Sequence, residues 1–167
     1  MSARQPVWLG IDVGTGSARA GAFAADGRLL GAAKRDIRVW RERADIVEQS
    51  SDDIWAASCT AAQGALAAAS VGSDAVRGLS FDATCSMAVL DRRMRPLAAG
   101  PSGDRQRNVI VWMDHRAVEQ ARRINATGDA VLDYVGGTIS PEMHTPKLLW
   151  LKEDMPAAYA EAGHFFD

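Results

Sequence analysis

Cysteine is scarce in this 167-residue chain: there are two, Cys59 and Cys85, and neither belongs to a CxxC pair. Only three histidines accompany them, so spacing offers neither a disulfide framework nor a zinc site. Two scattered thiols fit a reducing compartment, and a cytoplasmic location is the expectation. Basic excess is also missing. Nineteen Lys and Arg stand against 21 Asp and Glu, for a net charge of −2. That argues against a broad phosphate-backbone footprint, and no nucleic-acid partner is expected. No run of sequence qualifies as a membrane span either. Ile54 to Ser73 carries no charge, but it is mostly alanine and is interrupted by Ser58, Thr60, Gln63, Gly64, Ser70 and Gly72. A spanning helix needs about 20 predominantly apolar residues, so this stretch predicts a packed soluble helix and no membrane partner. Met1 to Pro6 lacks the long apolar core of a signal peptide.

What is present is ordinary globular material, 47% hydrophobic and 24% charged, which excludes disorder and collagen-like repeats. The length allows one sizeable domain, or one domain plus a fragment. Val7–Val13 reads as a strand rich in large and β-branched residues. A small-residue turn follows, then a second apolar strand over Ala18–Ala24. Asp26-Gly27 marks a hairpin, and Arg28–Val39 reads as a third, more polar strand. The chain therefore opens as a β-meander. Ser50 or Ser51 can cap the next helix, with Asp52 and Asp53 favouring its N-terminus, and the helix is expected to run to about Ser70. Further strands are read at Val76–Asp82, Ser86–Asp91 and Val109–Trp112, with a polar turn over Arg92–Pro96. Its arginines Arg92, Arg93 and Arg95 read as a solvated cluster. Helical segments are expected over Asp114–Asn125, near Val131–Tyr134, from Thr145 or Pro146 to Lys152, and from Pro156 onward. The fold class is α/β: a mixed sheet of about five strands, the first three antiparallel, flanked by helices.

The turn after the first strand reads Asp12-Val13-Gly14-Thr15-Gly16-Ser17. It is not a dinucleotide fingerprint, because the third glycine position holds Arg19 and the next element is a strand. No Walker A loop occurs anywhere in the chain. Two readings of the turn stand side by side. It is a tight hairpin using glycine for its shape, or an anion-binding nest in which backbone N–H groups, Thr15 and Ser17 meet phosphates while Asp12 holds a hydrated divalent cation.

The pattern D-x-G-T-x-S-x-R after an N-terminal strand resembles the phosphate-binding hairpin of the actin-like ATPase superfamily, and within it the FGGY carbohydrate kinases. Three more segments resemble that family in the same order: Gly78–Ser86 (GLSFDATCS), Val109–Ala117 (VIVWMDHRA) and Gly137–Leu151 (GTISPEMHTPKLLWL). Four ordered segments are far more specific than one. The resemblance implies an incomplete ribonuclease-H-like, actin-like ATPase domain with ATP and Mg²⁺ as cofactors. Asp12, Gly14, Thr15, Gly16 and Ser17 would approach the phosphates, with Asp12 toward the metal. Asp82, Ala83 and Thr84 would line a sugar cleft. Trp112 would give the sugar carbons an apolar face, with core packing after a strand as its alternative. Asp114 and Arg116 would serve as hydroxyl partners, and Glu142 and Lys147 would complete the substrate set.

Ala83 and Thr84 stand where glycerol kinases carry an Arg-Glu pair, and the D-A-T-C-S and S-P-E-M-H-T-P-K segments resemble the ribulokinase branch. The resemblance therefore implies a kinase for a small sugar, a pentulose, with ribulose first and xylulose as an alternative. The catalytic base of the family is expected downstream of Asp167. Residues 1–167 are accordingly expected to be the N-terminal part of the first kinase domain, inactive alone, with the rest of that domain and the whole second domain absent. A non-catalytic remnant that binds a sugar or a partner is the competing reading. Exposed apolar surface is expected where further structure would pack, and the expected protein partners are a second copy or the missing kinase half.

Overall fold

The computed structural model describes residues 6–167; the signal-peptide reading of the first residues lies outside them except for Pro6. In chain order the elements are strands β1 (Val7–Val13), β2 (Ser17–Phe23), β3 (Leu29–Asp36), β4 (Trp40–Arg43) and β5 (Ile46–Gln49), helix α1 (Ser51–Ala68), strands β6 (Val76–Ala83), β7 (Met87–Asp91) and β8 (Val109–Ile110), helices α2 (Val118–Asn125), α3 (His144–Asp154) and α4 (Pro156–Glu161), and strand β9 (Ala162–Phe166). They form two compact units. The first comprises the residues up to Arg38 together with Asp52–Thr84; the second comprises Val39–Ser51 and Cys85–Asp167.

The first unit is a four-stranded sheet in the order β3-β2-β1-β6. β1, β2 and β3 are antiparallel neighbours, and β6 joins β1 in parallel. The predicted meander is therefore present, and Gly27, at φ 84°, supplies the backbone that its second turn requires. Strand alternation sorts β1: Val7, Leu9 and Ile11 are buried while Trp8 and Asp12 are exposed. The buried row meets Ala18, Ala20 and Ala22 of β2 and Ala57, Ala61 and Ala65 of α1 in one core. Alanine at four-residue spacing gives α1 a thin face that sits directly on the sheet. A Cβ on Gly31 would come within 2.6 Å of the Ala65 carbonyl oxygen, and one on Gly64 would come within 2.7 Å of the Ala33 Cβ. β6 forms an edge of the sheet. Its Leu79 and Phe81 are 53% and 50% exposed, although their register neighbours Leu9 and Ile11 lie in the core. The expected exposed apolar surface is found here.

The second unit holds its own five-stranded sheet in the order β4-β5-β8-β7-β9, antiparallel throughout. This corrects the expectation of a single sheet. The β4–β5 hairpin was not predicted, because its sequence, WRERADIVEQ, alternates poorly and carries charge. The expected Val109–Trp112 strand pairs only over Val109–Ile110, and the segment expected to be helical from Asp114 begins at Val118. The last helix stops at Glu161. Strand β9, which the sequence did not suggest, follows it, with Phe165 and Phe166 paired with β7. Met87, Val89, Leu97, Ile110, Ala117, Trp150 and Leu151 make the main core; Ala121, Leu132 and Ile139 make a smaller one.

The predicted turn after β7 is present, with Met94 at φ 63°. Its arginines are more ordered than expected. The Asp91 carboxylate accepts from the backbone N–H of Arg93 and Arg95, at 2.7 and 2.9 Å, and from Arg95 Nε at 2.8 Å. The Arg95 backbone bond leads in holding Asp91 down at about 2, against the opposing effect of burial. Among the described residues no helix is long and apolar enough to cross a membrane.

Candidate functional site

Two regions carry the predicted residues, one in each unit. In the first unit, β1 ends in the turn to β2. The Gly14 N–H donates to the Ser17 carbonyl at 3.0 Å, and the Gly16 carbonyl accepts from Ile37 N at 3.0 Å, so the residue that follows β3 braces the turn. Gly16 is exposed, and a Cβ placed there would meet nothing within 4 Å. The space in front of the turn is open. Thr15 is half-buried and Ser17 is buried; Ser17 thus contributes through the backbone bond to Gly14 rather than as an exposed hydroxyl. Asp12 is exposed and accepts from Arg19 Nη1 at 2.7 Å, and the same guanidinium lies 3.6 Å from where a Gly14 Cβ would be. Parallel pairing places Asp82 beside Asp12 and Ala83 beside Val13, and the Thr84 N–H closes the end by donating to the Val13 carbonyl at 3.1 Å. The phosphate-type turn and the D-A-T segment therefore occupy the same C-terminal edge of two parallel strands, where open α/β sheets place their ligands. Asp12 and Asp82 line one face there, with Arg19, Ser80, Phe81 and Phe23, around a cavity of about 420 Å³. An exposed carboxylate beside an unobstructed glycine turn fits a hydrated divalent cation and a phosphate chain. Among the described residues no group of three or more His, Cys, Asp or Glu forms a closed metal site.

In the second unit, Trp112 and Glu142 meet at a cavity of about 380 Å³, with Cys85, Ser140, Met143, His144, Thr145 and Asp167. The volume suits a small polyhydroxy ligand. His115 Nε2 lies 3.0 Å from Glu142 Oε1. His144 Nε2 lies 3.4 Å from the Cys85 carbonyl and 3.6 Å from Asp167 Oδ1. The sequence named Trp112 and Glu142 but not Ser140, Met143, His144 or Thr145 as lining residues. The signal was available: these four flank Glu142 in the S-P-E-M-H-T-P-K segment, at the entry to α3. Cys85 is a free, exposed cysteine and also lines the cavity.

Asp114, Arg116 and Lys147 are placed differently from the expectation that they face a sugar. Asp114 is 0% exposed. Its Oδ2 accepts from Val47 N at 2.6 Å and from Arg116 Nη2 at 2.7 Å; its Oδ1 accepts from Arg116 N and Nε at 3.0 and 2.8 Å. A carboxylate with four bonds has no lone pair left for a hydroxyl. Arg116 further donates to the Ala99 carbonyl at 2.7 Å and to Glu48 at 3.0 Å, and its guanidinium lies 4.9 Å from the centre of the Trp150 ring. Buried Glu48 also pairs with Arg107 at 2.7 Å, and Arg107 reaches Glu42. Asp114 and Arg116 thus join a buried, charge-balanced network that ties β5 to the loops after β7 and β8. Lys147 is also 0% exposed, and its Nζ donates to the carbonyl oxygens of Val111 and Trp112, each at 2.9 Å. Burial pushes its ammonium down to about 8, against the pull of the nearby Asp114 carboxylate.

A meander followed by a parallel strand, with a glycine turn at the strand ends, defines the fold as that of the actin-like, ribonuclease-H-like sugar kinases. The comparison with solved structures agrees: a xylulose kinase from Rhodospirillum rubrum superposes with a TM-score of 0.78 at 19% identity, over 94% of this chain and 31% of that one. The chain belongs to the FGGY family of carbohydrate kinases, whose N-terminal domain model matches residues 7–166. It is 49% identical over 161 residues to the human FGGY carbohydrate kinase domain-containing protein, covering 96% of this chain and 29% of the relative. It is 40% identical over 162 residues to a D-ribulokinase of Saccharomyces cerevisiae, covering 96% and 23%. The chain spans less than a third of the length of these relatives.

Proposed function

We propose that residues 1–167 form the N-terminal part of the first domain of an ATP-dependent pentulose kinase, with ribulose as the favoured substrate. The observation that carries this reading is the shared strand edge: Gly14–Ser17 and Asp82–Thr84 lie together at the C-terminal ends of β1 and β6. A phosphoryl donor and its acceptor must be brought to one place, and this edge offers each a segment. Asp12 would hold Mg²⁺, which supplies charge neutralisation for the phosphates when bound. Gly14, Thr15 and Gly16 would receive the phosphate chain, and Ser17 would fix the turn from within. Asp82 and Thr84 would offer polar groups to the sugar, with Ala83 leaving room for a chain longer than glycerol. Trp112 and Glu142 would supply an apolar face and a hydroxyl acceptor from their cavity. The 40% identity to a D-ribulokinase supports the ribulose preference. A cytoplasmic location and association with the missing kinase half through β6 belong to the same reading.

The test has two parts. ADP formation is measured with D-ribulose, L-ribulose and D-xylulose; the chain alone is expected to give none, and robust turnover with any of them overturns the partial-domain reading. Backbone NMR then follows Asp82–Thr84 and Glu142–Thr145 as each sugar is added. Shifts with a pentulose but not with glycerol are expected. Equal shifts with both would sink the pentulose assignment.

A further inference from the structure

Among the described residues Lys147 is the largest side chain that is fully buried, and burial does not fit the sugar-facing role that the resemblance implies for it. An ammonium taken out of water is costly unless its donors are met. Here Nζ donates to two successive carbonyls, those of Val111 and Trp112. The Val111 carbonyl also accepts from Asp114 N at 2.9 Å, and Trp112 N donates to Ser86 Oγ at 3.1 Å. The peptide units that present Trp112 are thus held by Lys147 from α3 and by Ser86 from the loop before β7. Lys147 lies in the first turn of α3, three residues after His144 and two after Thr145, and both of those residues line the cavity with Trp112. Lys147 itself does not line it.

We propose that Lys147 is a positioning residue: its Nζ pins the 111–112 backbone to the first turn of α3, and so holds Trp112 and the Glu142–Thr145 segment as walls of one cavity, without touching the ligand. The inference rests on the reading of that cavity as a sugar pocket. The charged and titratable groups around Nζ are Asp114 and Arg116 after β8, Glu142 before α3 and Cys85 after β6. Asp114 and Arg116 are paired with each other and Glu142 lies against His115, while Nζ itself donates to the two carbonyls. Charge-assisted bonds are roughly twice as strong as neutral ones. Loss of the proton, near pH 8, therefore loosens the clamp without abolishing it.

The indole N–H resonance of Trp112, assigned with Trp112→Phe, reports the clamp with no ligand present. It is followed from pH 6.5 to 9.5 in a Cys85→Ser background, which removes the thiol from the titration. A step centred near pH 8 is expected, and pentulose affinity should fall roughly fivefold across it. In Lys147→Met the unliganded Trp112 resonance should move, the step should vanish and affinity should drop about tenfold or more. Lys147→Arg should restore part of the affinity without the step near pH 8. A flat Trp112 titration overturns the proposal. So does a Lys147→Met variant that loses affinity while Trp112 stays in place, because that is the signature of direct ligand contact. A wild-type Trp112 step without pentulose binding would leave the clamp standing and remove the sugar reading. If Lys147→Met fails to fold, the wild-type titration decides alone.

Discussion

The two units treat their motif carboxylates in opposite ways. In the first, Asp12 and Asp82 are exposed on a sheet face at the ends of parallel strands, and Asp12 has a single arginine beside it. In the second, Asp114 is sealed in with Glu48, Arg107 and Arg116. The sequence presents Asp12, Asp82 and Asp114 alike, as carboxylates in family-like segments. Burial separates them: an exposed carboxylate can exchange its partner for a ligand at little cost, while a sealed one is already saturated and serves to hold loops together.

The comparison is broken most directly by Arg116→Met. The change leaves Asp114 and Glu48 buried with an uncompensated charge, and should cost roughly 3–5 kcal/mol. Asp12→Asn removes an exposed partner of Arg19 and should cost less than about 1 kcal/mol. Urea unfolding of both variants reads the difference; equal losses would erase the distinction.

A smaller effect is expected from matched glycine substitutions. A Cβ on Gly100 would run into the Glu48 carboxylate and come within 3.1 Å of Arg116 Nη1, whereas one on Gly16 meets nothing within 4 Å. Gly100→Ala should therefore cost roughly 1–3 kcal/mol, and Gly16→Ala should stay within about 0.5 kcal/mol. Differential scanning calorimetry of the two sharpens the contrast between a packed charge cluster and an open turn.

The remaining effects concern pH, and both make stability rise with pH inside the second unit, one by a favourable contact kept and the other by a penalty relieved. Asp91 has its folded value lowered from 3.8 to about 2. Its contribution is present above pH 4 and is lost as pH falls toward 2, so Asp91→Asn should flatten that part of the acid limb. Lys147 is lowered from 10.5 to about 8. Its burial penalty is in full force below pH 8 and is relieved as pH rises toward 10.5, because the unfolded chain then binds more protons than the folded one. Chemical denaturation between pH 8 and 10 should show Lys147→Met lacking this gain.

Legibility followed the range of the forces involved. Val7–Val13, α1 and the turn at Asp26-Gly27 were readable, because alternation, capping and glycine act within a few residues. The small-residue turn at Gly14–Ser17 was readable for the same reason. The β4–β5 hairpin was not: Glu48 and Gln49 look like loop residues until Arg107 and Arg116 arrive from about 60 positions later to neutralise and bury Glu48. Asp114, Arg116 and Lys147 were placed near the cavity region through their motifs. Their inward orientation depends on partners that no local pattern displays. His144 and Thr145 were within reach of the same motif reading, since they flank Glu142 in its segment and line its cavity.

The path of the chain has a consequence in time. Residues 39–51 leave the first unit, supply β4 and β5 to the second, and return as α1. During synthesis the meander can form early, and the first sheet can finish once residue 83 has emerged. The β4–β5 hairpin must then wait for β8 to close a loop of about 60 residues before Glu48 meets its arginines. Until that moment it is a charged ribbon with three large apolar side chains, Trp40, Ile46 and Val47, and little to pack against. The same charges that look out of place in the finished core keep the waiting hairpin soluble.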